Sequence, residues 1–415
     1  MRANPFLLTL LALLVSQAAR AEDITERIRL QGRGSFILSN NEASHGGIRP
    51  WFERGAGQLA LRSSKLALSP QSLALSADLT DTITAHLNGE YHHASETGTE
   101  VTEAWFSWQP LPFGDYRLKL RAGWFYPALS LENTDLAWTS PYTSNFSLIN
   151  SWFAEELRAN AIETSISRKF NVGHAPLTLQ WVGALARGND PLGTIISWRG
   201  FAIHNLQTGL HERIDFAEYP SLQQPPLTMQ PNWVEPFREL DGKTGYYTGL
   251  HLLYNDSTEI RFYRYDNKAD PTVFAQGQYA WHTKFDHVAM QQQVTEQVRV
   301  VAQWLRGDTI MGDDAVYMDY QAWFALVSYN LDDWQLSWRY DSATQEDEDN
   351  NKLDDNSGHA RSWTANLAYR LSEHWQLALE FTELRSHQPN RAQWPRWPVD
   401  HQEQVGSLLL TWRID

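Results

Sequence analysis

The sequence predicts an all-β fold: a transmembrane antiparallel β-barrel of sixteen strands with short periplasmic turns and long external loops. Three observations carry this. Hydrophobicity alternates with a period of two in segments of about ten residues, connectors alternate between short and long, and Trp and Tyr collect at the strand ends. The alternation is plainest at Trp334, Leu336, Trp338 and Tyr340, interleaved with Gln335, Ser337, Arg339 and Asp341. It recurs at Trp363, Ala365, Leu367 and Tyr369, interleaved with Thr364, Asn366 and Arg370. A sheet wetted on one side would alternate too, but lipid on the outer face accounts better for the aromatic ends.

Residues 1–21 read as a secretory signal, with Arg2 at the start, an apolar run from Phe6 to Val15, and Ala19, Arg20 and Ala21 as an A-x-A cleavage site. That run is well short of the roughly 20 apolar residues of a membrane helix. Residues 22–415 are therefore expected to form the barrel.

Strands are predicted at about 28–38, 71–79, 83–91, 101–109, 116–127, 156–170, 177–189 and 245–255. A second set follows at about 259–267, 277–290, 297–307, 317–329, 334–343, 361–371, 375–386 and 404–414. The connectors support this count: Thr80 to Thr82 is short, His92 to Glu100 long, Pro110 to Asp115 short and Ala128 to Glu155 long. Trp108, Tyr116, Tyr254, Trp334, Tyr369, Trp375 and Trp412 fall on lipid-facing parity beside short turns, as a periplasmic girdle requires. Trp51 to Leu68 reads either as an external hairpin or as a strand displacing the first. Residues 190–243 lack alternation and contain several Pro, so they are expected to form one long external loop, a length associated with function or mobility.

Absence of cysteine excludes disulfides and thiolate metal sites. A net charge of −15 argues against a nucleic-acid partner. No cofactor or metal site is expected: of His86, His92 and His93 only the first two share a strand face. Asp347, Asp349 and Asn351 follow calcium-loop spacing, but Lys352 stands where glycine is needed and the distal glutamate is missing, so 345–356 reads as a solvated acidic loop. His359 and Ser362 have no supporting motif, which argues against an enzyme.

Tyr116, Leu118, Leu120 and Ala122 take one strand face, so Arg117, Lys119 and Arg121 form an inward column of positive charge. Such a column either sets ion selectivity or pairs with lumen acids. Residues 128–155 carry Trp138, Tyr142, Phe146 and Trp152, too apolar a set to sit in water, and are expected to fold inwards as a constriction. Glu132, Asp135 and Glu155 would then face the basic column across a transverse field. Alternatively Glu132 and Glu155 hold the loop to the wall by hydrogen bonds.

Leu73 to Glu163 resembles the phosphate-selective porin family of Gram-negative outer membranes. The matching order is LALSADLTDTITAHLNGEYHH, VTEAWFSWQPLP, YRLKLRAGWFYPALSLEN and EELRANAIE. Its R-x-G-x-F-x-P-x-S-L-E core is met by Arg121, Gly123, Phe125, Pro127, Ser130, Leu131 and Glu132. The match covers under a quarter of the chain. It implies a sixteen-stranded, trimeric diffusion channel whose third external loop enters the lumen.

The expected function is passive diffusion of small hydrophilic solutes or ions across the outer membrane, amid lipid and lipopolysaccharide. Phosphate or anion selectivity is the narrower alternative, opposed by charge: loss of Arg2 and Arg20 from 34 basic residues leaves 32 against 49 acidic ones. A closed structural or adhesive barrel, plugged by 190–243, is the alternative from another class.

Overall fold

The computed structural model describes residues 27–43, 48–59, 65–92 and 98–414, and the expected signal lies outside the described residues. Sixteen strands close into one barrel. In chain order they are β1 (Ile28–Ala43), β2 (Lys65–Asp78), β3 (Ile83–Tyr91), β4 (Thr99–Trp108), β5 (Tyr116–Phe125), β6 (Ala159–Val172), β7 (Ala175–Arg187) and β8 (Gly245–Tyr254). They continue as β9 (Thr258–Asp266), β10 (Trp281–Gln293), β11 (Val298–Met311), β12 (Val316–Leu331), β13 (Trp334–Asp347), β14 (Gly358–Arg370), β15 (Trp375–His387) and β16 (Asp400–Ile414). Each pairs antiparallel with its sequence neighbours, and β16 returns to β1 from Gly32↔Ile414 to Ala43↔Glu403. Closure leaves no strand edge unpaired, which is what lets a sheet stand in hydrocarbon.

Side chains sort by parity. Trp338 is 49% exposed on the outer face while its neighbour Ser337 is fully buried inside, bonded to Ser328 Oγ at 3.1 Å. Trp108, Tyr116, Tyr254, Trp334 and Trp375 are exposed beside the short turns. Trp334 and Tyr369 lie 4.6 Å apart there, and Trp412 Nε1 donates to Gln71 Oε1.

The strand count matches the sequence reading, but several ends move. The second strand begins at Lys65 rather than near 71, because pairing with β1 slips between Gly34 and Phe36 and Pro70 interrupts the donor row, hiding the outward Leu66 and Leu68. Trp51 to Leu59 is neither hairpin nor wall strand. It makes a short 3-10 turn and two isolated bridges, Pro50↔Gly57 and Leu59↔Ile203. Residues 156–158 belong to the end of a helix and its exit, not to β6.

Seven connections at the rim where β1 begins and β16 ends are short, the longest being 109–115. At the other rim the third and fourth loops, 126–158 (L3) and 188–244 (L4), are long enough to enter the barrel.

Candidate functional site

The lumen is filled by L3 and L4. Within L3, helix α1 (Leu148–Glu156) is buried along its whole length. Ser147 caps it, its side chain accepting from Asn150 N at 3.2 Å. Arg339 on β13 donates to Glu132 at 2.7 Å and to Asp341 at 2.8 Å, and its remaining donors reach Thr143 Oγ1 and the carbonyls of Asn145 and Phe146. Glu380 on β15 accepts from the backbone of Ser144 and Asn145. L3 is thus fastened to the β13–β15 wall by fully satisfied charges.

L4 holds a second helix, α2 (Thr194–Arg199), also entirely buried. Glu156 at the end of α1 accepts from the backbone N–H groups of Ile195 and Ile196 at 2.9 and 3.4 Å. Its neighbour Glu155 takes a bidentate pair from Arg199 at 2.6 Å and lies 3.2 Å from His204. Burial alone would raise the Glu155 carboxyl, but Arg199 and His204 outweigh it and bring it down to about 2. Burial pushes Glu156, which has no cation of its own, up to about 7. Trp152 packs edge-on to Phe201 of L4 and to Phe285 and Tyr320 of the wall. L4 reaches Gln345 on β13 through the Ile196 carbonyl, Gln58 through that of Phe201, and Asp354 through Ser221. The sequence reading took 190–243 as one long external loop; it leaves from the external rim, where Trp198 and Phe216 are buried against Trp281, Met311 and Val316, and Phe201 reaches the deeper core.

Both ends of L4 meet at a neck. Asp190 N donates to the Arg238 carbonyl, and its carboxylate accepts from Leu240 N and Asp241 N. Asp190, Glu239 and Asp241 bring carboxylate oxygens within 4.8 Å of one another, the one metal-sized acidic trio among the described residues. Burial, then Glu239 and Asp241, raises Asp190 to about 7.

The basic column does point inwards, but its members differ. Arg121 pairs with Glu163 of the next strand at 3.0 Å and stacks 3.6 Å over Phe125. Lys119 stands 5.8 Å from the Trp105 ring, and neither Lys119 nor Arg117 has an ion-pair partner among the described residues. The three acids do not face this column, contrary to the transverse-field expectation. Glu132 is bound by Arg339, Asp135 by Arg413 of β16 at 2.8 Å, and Glu155 by Arg199. Each is held by a cation, which offsets the cost of desolvating the buried Glu132 and Glu155 carboxylates. The roles of Arg339, Arg413, Arg199 and His204 as partners of these acids have no local signal in the sequence, because each lies far along the chain from its acid.

Two cavities flank this filling. The periplasmic one, about 420 Å³, lies under the L3 tip beside Arg33, Asp135, Tyr142, Arg370 and Arg413. The external one, about 250 Å³, is bordered by Trp51, His92, Gln207 and Glu212. Between them Trp152, Phe153, Leu192, Ile196 and Phe201 form one continuous apolar core with the wall.

Other residues of interest are placed apart. His86 stacks on Trp105, while His92 lies 3.7 Å from Glu212; His93 lies outside the described residues. Asp347 and Asp349 spend their oxygens on the backbone N–H groups of Asp349, Asn356, Asn351 and Tyr317. His359 faces outwards and Ser362 inwards, so they cannot act together.

No protein-family model matches the chain, and no curated protein sequence does. Among solved structures, the outer membrane channel DcaP of Acinetobacter baumannii is similar over 93% of this chain and 97% of its own, with a TM-score of 0.55 and 8% identity. The anion-selective porin from Comamonas acidovorans covers 93% and 99% at a TM-score of 0.49 and 12% identity. OmpF of Salmonella typhi covers 93% and 97% at 0.48 and 10%. The fold is that of an outer-membrane channel barrel. The likeness to DcaP carries that conclusion, and it concerns architecture alone.

Proposed function

We propose that the protein is a porin of the Gram-negative outer membrane, allowing passive diffusion of small hydrophilic solutes or ions, and that L4 sets how wide the route is. The observation that carries this is the inverted polarity of the barrel. Its outer face is apolar and aromatic, while its inner face carries ionised side chains that end in water-accessible cavities on both sides of the loops. A barrel with only a structural role has no need of unpaired cations such as Lys119 in its lumen.

The narrower proposal is anion preference, supported by Arg117 and Lys119 and by the family resemblance of 73–163. A homotrimer and contact with lipopolysaccharide belong to the same proposal. A second reading, a barrel held shut, is favoured by the apolar core joining L3, L4 and the wall.

Planar-bilayer conductance separates the two. The full chain should give discrete steps, and replacing 192–237 by a short Gly-Ser bridge across the closed neck should raise them several-fold. A full chain that folds yet stays silent would overturn the open-channel reading. Unchanged steps after excision would show that L4 does not set the width.

A further inference from the structure

We propose that the outer wall at β13–β16 carries a binding site for a phosphorylated lipid, its phosphate held between Arg361 and Arg385 and one acyl chain lying in the groove beneath them. This rests on the reading that the barrel stands in the outer membrane.

Arg361 on β14 and Arg385 on β15 are directly opposed across the ladder, both facing outwards. One register step further out, His359 and His387 are opposed too, their rings stacked at 5.1 Å. Like charges placed opposite each other weaken a sheet. The nearby acids offset only part of this: Glu383 is shared by Arg385 at 2.8 Å and Gln404 at 2.6 Å, and Asp400 accepts from His387 at 2.8 Å. Arg361 is exposed and has no ion-pair partner among the described residues. Two planar guanidinium groups side by side suit the oxygens of a phosphate.

Their depth fits a lipid headgroup. One register step below the pair, Tyr340 and Trp363 are opposed on the same outer face. Aromatic residues of this kind mark the boundary between acyl chains and headgroups. Below them lies a groove of about 720 Å³ lined by Leu38, Leu367, Leu379 and Leu408, floored by Ala365 and Gly406. Gly406 has nothing within 4 Å of where a Cβ would stand, so the wall is locally recessed. Gly406 pairs with Phe381 and Gln402 with Arg385, four residues apart, which sets groove and cation pair roughly 13 to 14 Å apart along the strands at 3.3 to 3.4 Å per residue. A lipid bridges that distance between its phosphate and the middle of its chain.

Full-chain protein in mild detergent would be incubated with diphosphorylated lipid A or its dephosphorylated form and examined by native mass spectrometry, with heat-modifiable gel migration confirming the fold. Wild type should retain the phosphorylated lipid about tenfold better than the dephosphorylated one, as charge-assisted contacts predict. R361E/R385E should remove that preference, R361K/R385K should keep most of it, and G406F should weaken both lipids. Equal retention of the two lipids by wild type, or an unchanged preference in R361E/R385E, would overturn the site. So would a G406F protein that loses an oligomer while retaining lipid, since the groove would then be an interface between copies. Membrane fractionation tests the outer-membrane reading separately.

Discussion

Arg339 spends its donors on five acceptors, three of them in L3 beyond Glu132: Thr143 Oγ1 and the carbonyls of Asn145 and Phe146. Removing one partner from a buried charge cluster costs about 3 to 5 kcal/mol, because the charges left behind stay desolvated. Arg339→Met should therefore free L3 while the barrel remains assembled. The expected readout is protease cleavage between Thr139 and Asn150 in protein that still migrates as folded; resistance equal to wild type would show that the cluster is not the fastening. Position 339 was legible as inward from parity, but its role was not, since Glu132 lies 207 residues away. The motif residues fared differently. Gly123 has φ 128°, and a Cβ there would meet the Ala104 carbonyl at 2.3 Å. Phe125 is fully buried, and Ser130 Oγ accepts from the backbone of Glu132 and Asn133. The recognisable run is thus the bend by which β5 becomes L3, and its spacing reflects backbone geometry rather than solute binding.

At the scale of elements, the strands were readable because a period of two depends only on having lipid on one side and protein or water on the other. A sharp test of that register is Trp338→Arg, which puts a cation in hydrocarbon and should cost about 2 to 4 kcal/mol in unfolding midpoint measurements. An unchanged midpoint would place that face elsewhere. Ser337 offers no tolerant contrast, since its side is packed against Ser328. L4 was unreadable because its apolar residues meet wall, L3 and other loops in turn, leaving no single period. The seat of L4, through its contact with L3 at Glu156 and its own neck at Asp190, has a pH dependence. Glu156 and Asp190 are raised to about 7, above their ordinary values, so docking gains as pH falls through 7 towards the ordinary carboxylate range. Glu155, lowered to about 2, adds stability above its ordinary value that is lost progressively as pH falls from there through about 2. The open fraction in bilayers should therefore fall from pH 8 to pH 5.5, and Glu156→Gln with Asp190→Asn should flatten that slope. A slope equal to wild type in the double variant would assign the effect to other groups.

For the whole molecule, wall and filling answer different questions. The wall decides which ions approach: with Arg121 neutralised by Glu163, Lys119 is the member of the column whose field is free inside the lumen, while Arg117 sits near the rim where salt screens it over about 8 Å. Lys119→Glu should shift the reversal potential in a potassium chloride gradient towards cations more than Arg117→Glu does. No shift in either would remove the column from selectivity. The filling has a property of another kind. Because Asp190 clasps Arg238, Leu240 and Asp241, the segment between them leaves and rejoins the chain at one point. The pairing of β7 with β8, from Gly245↔Ala186 down to Tyr254↔Leu177, proceeds without reference to what lies beyond. The insert is a cartridge: with its two ends clasped together, what lies between them is held by the lumen rather than by the two strands it joins, whose register is closed beneath it.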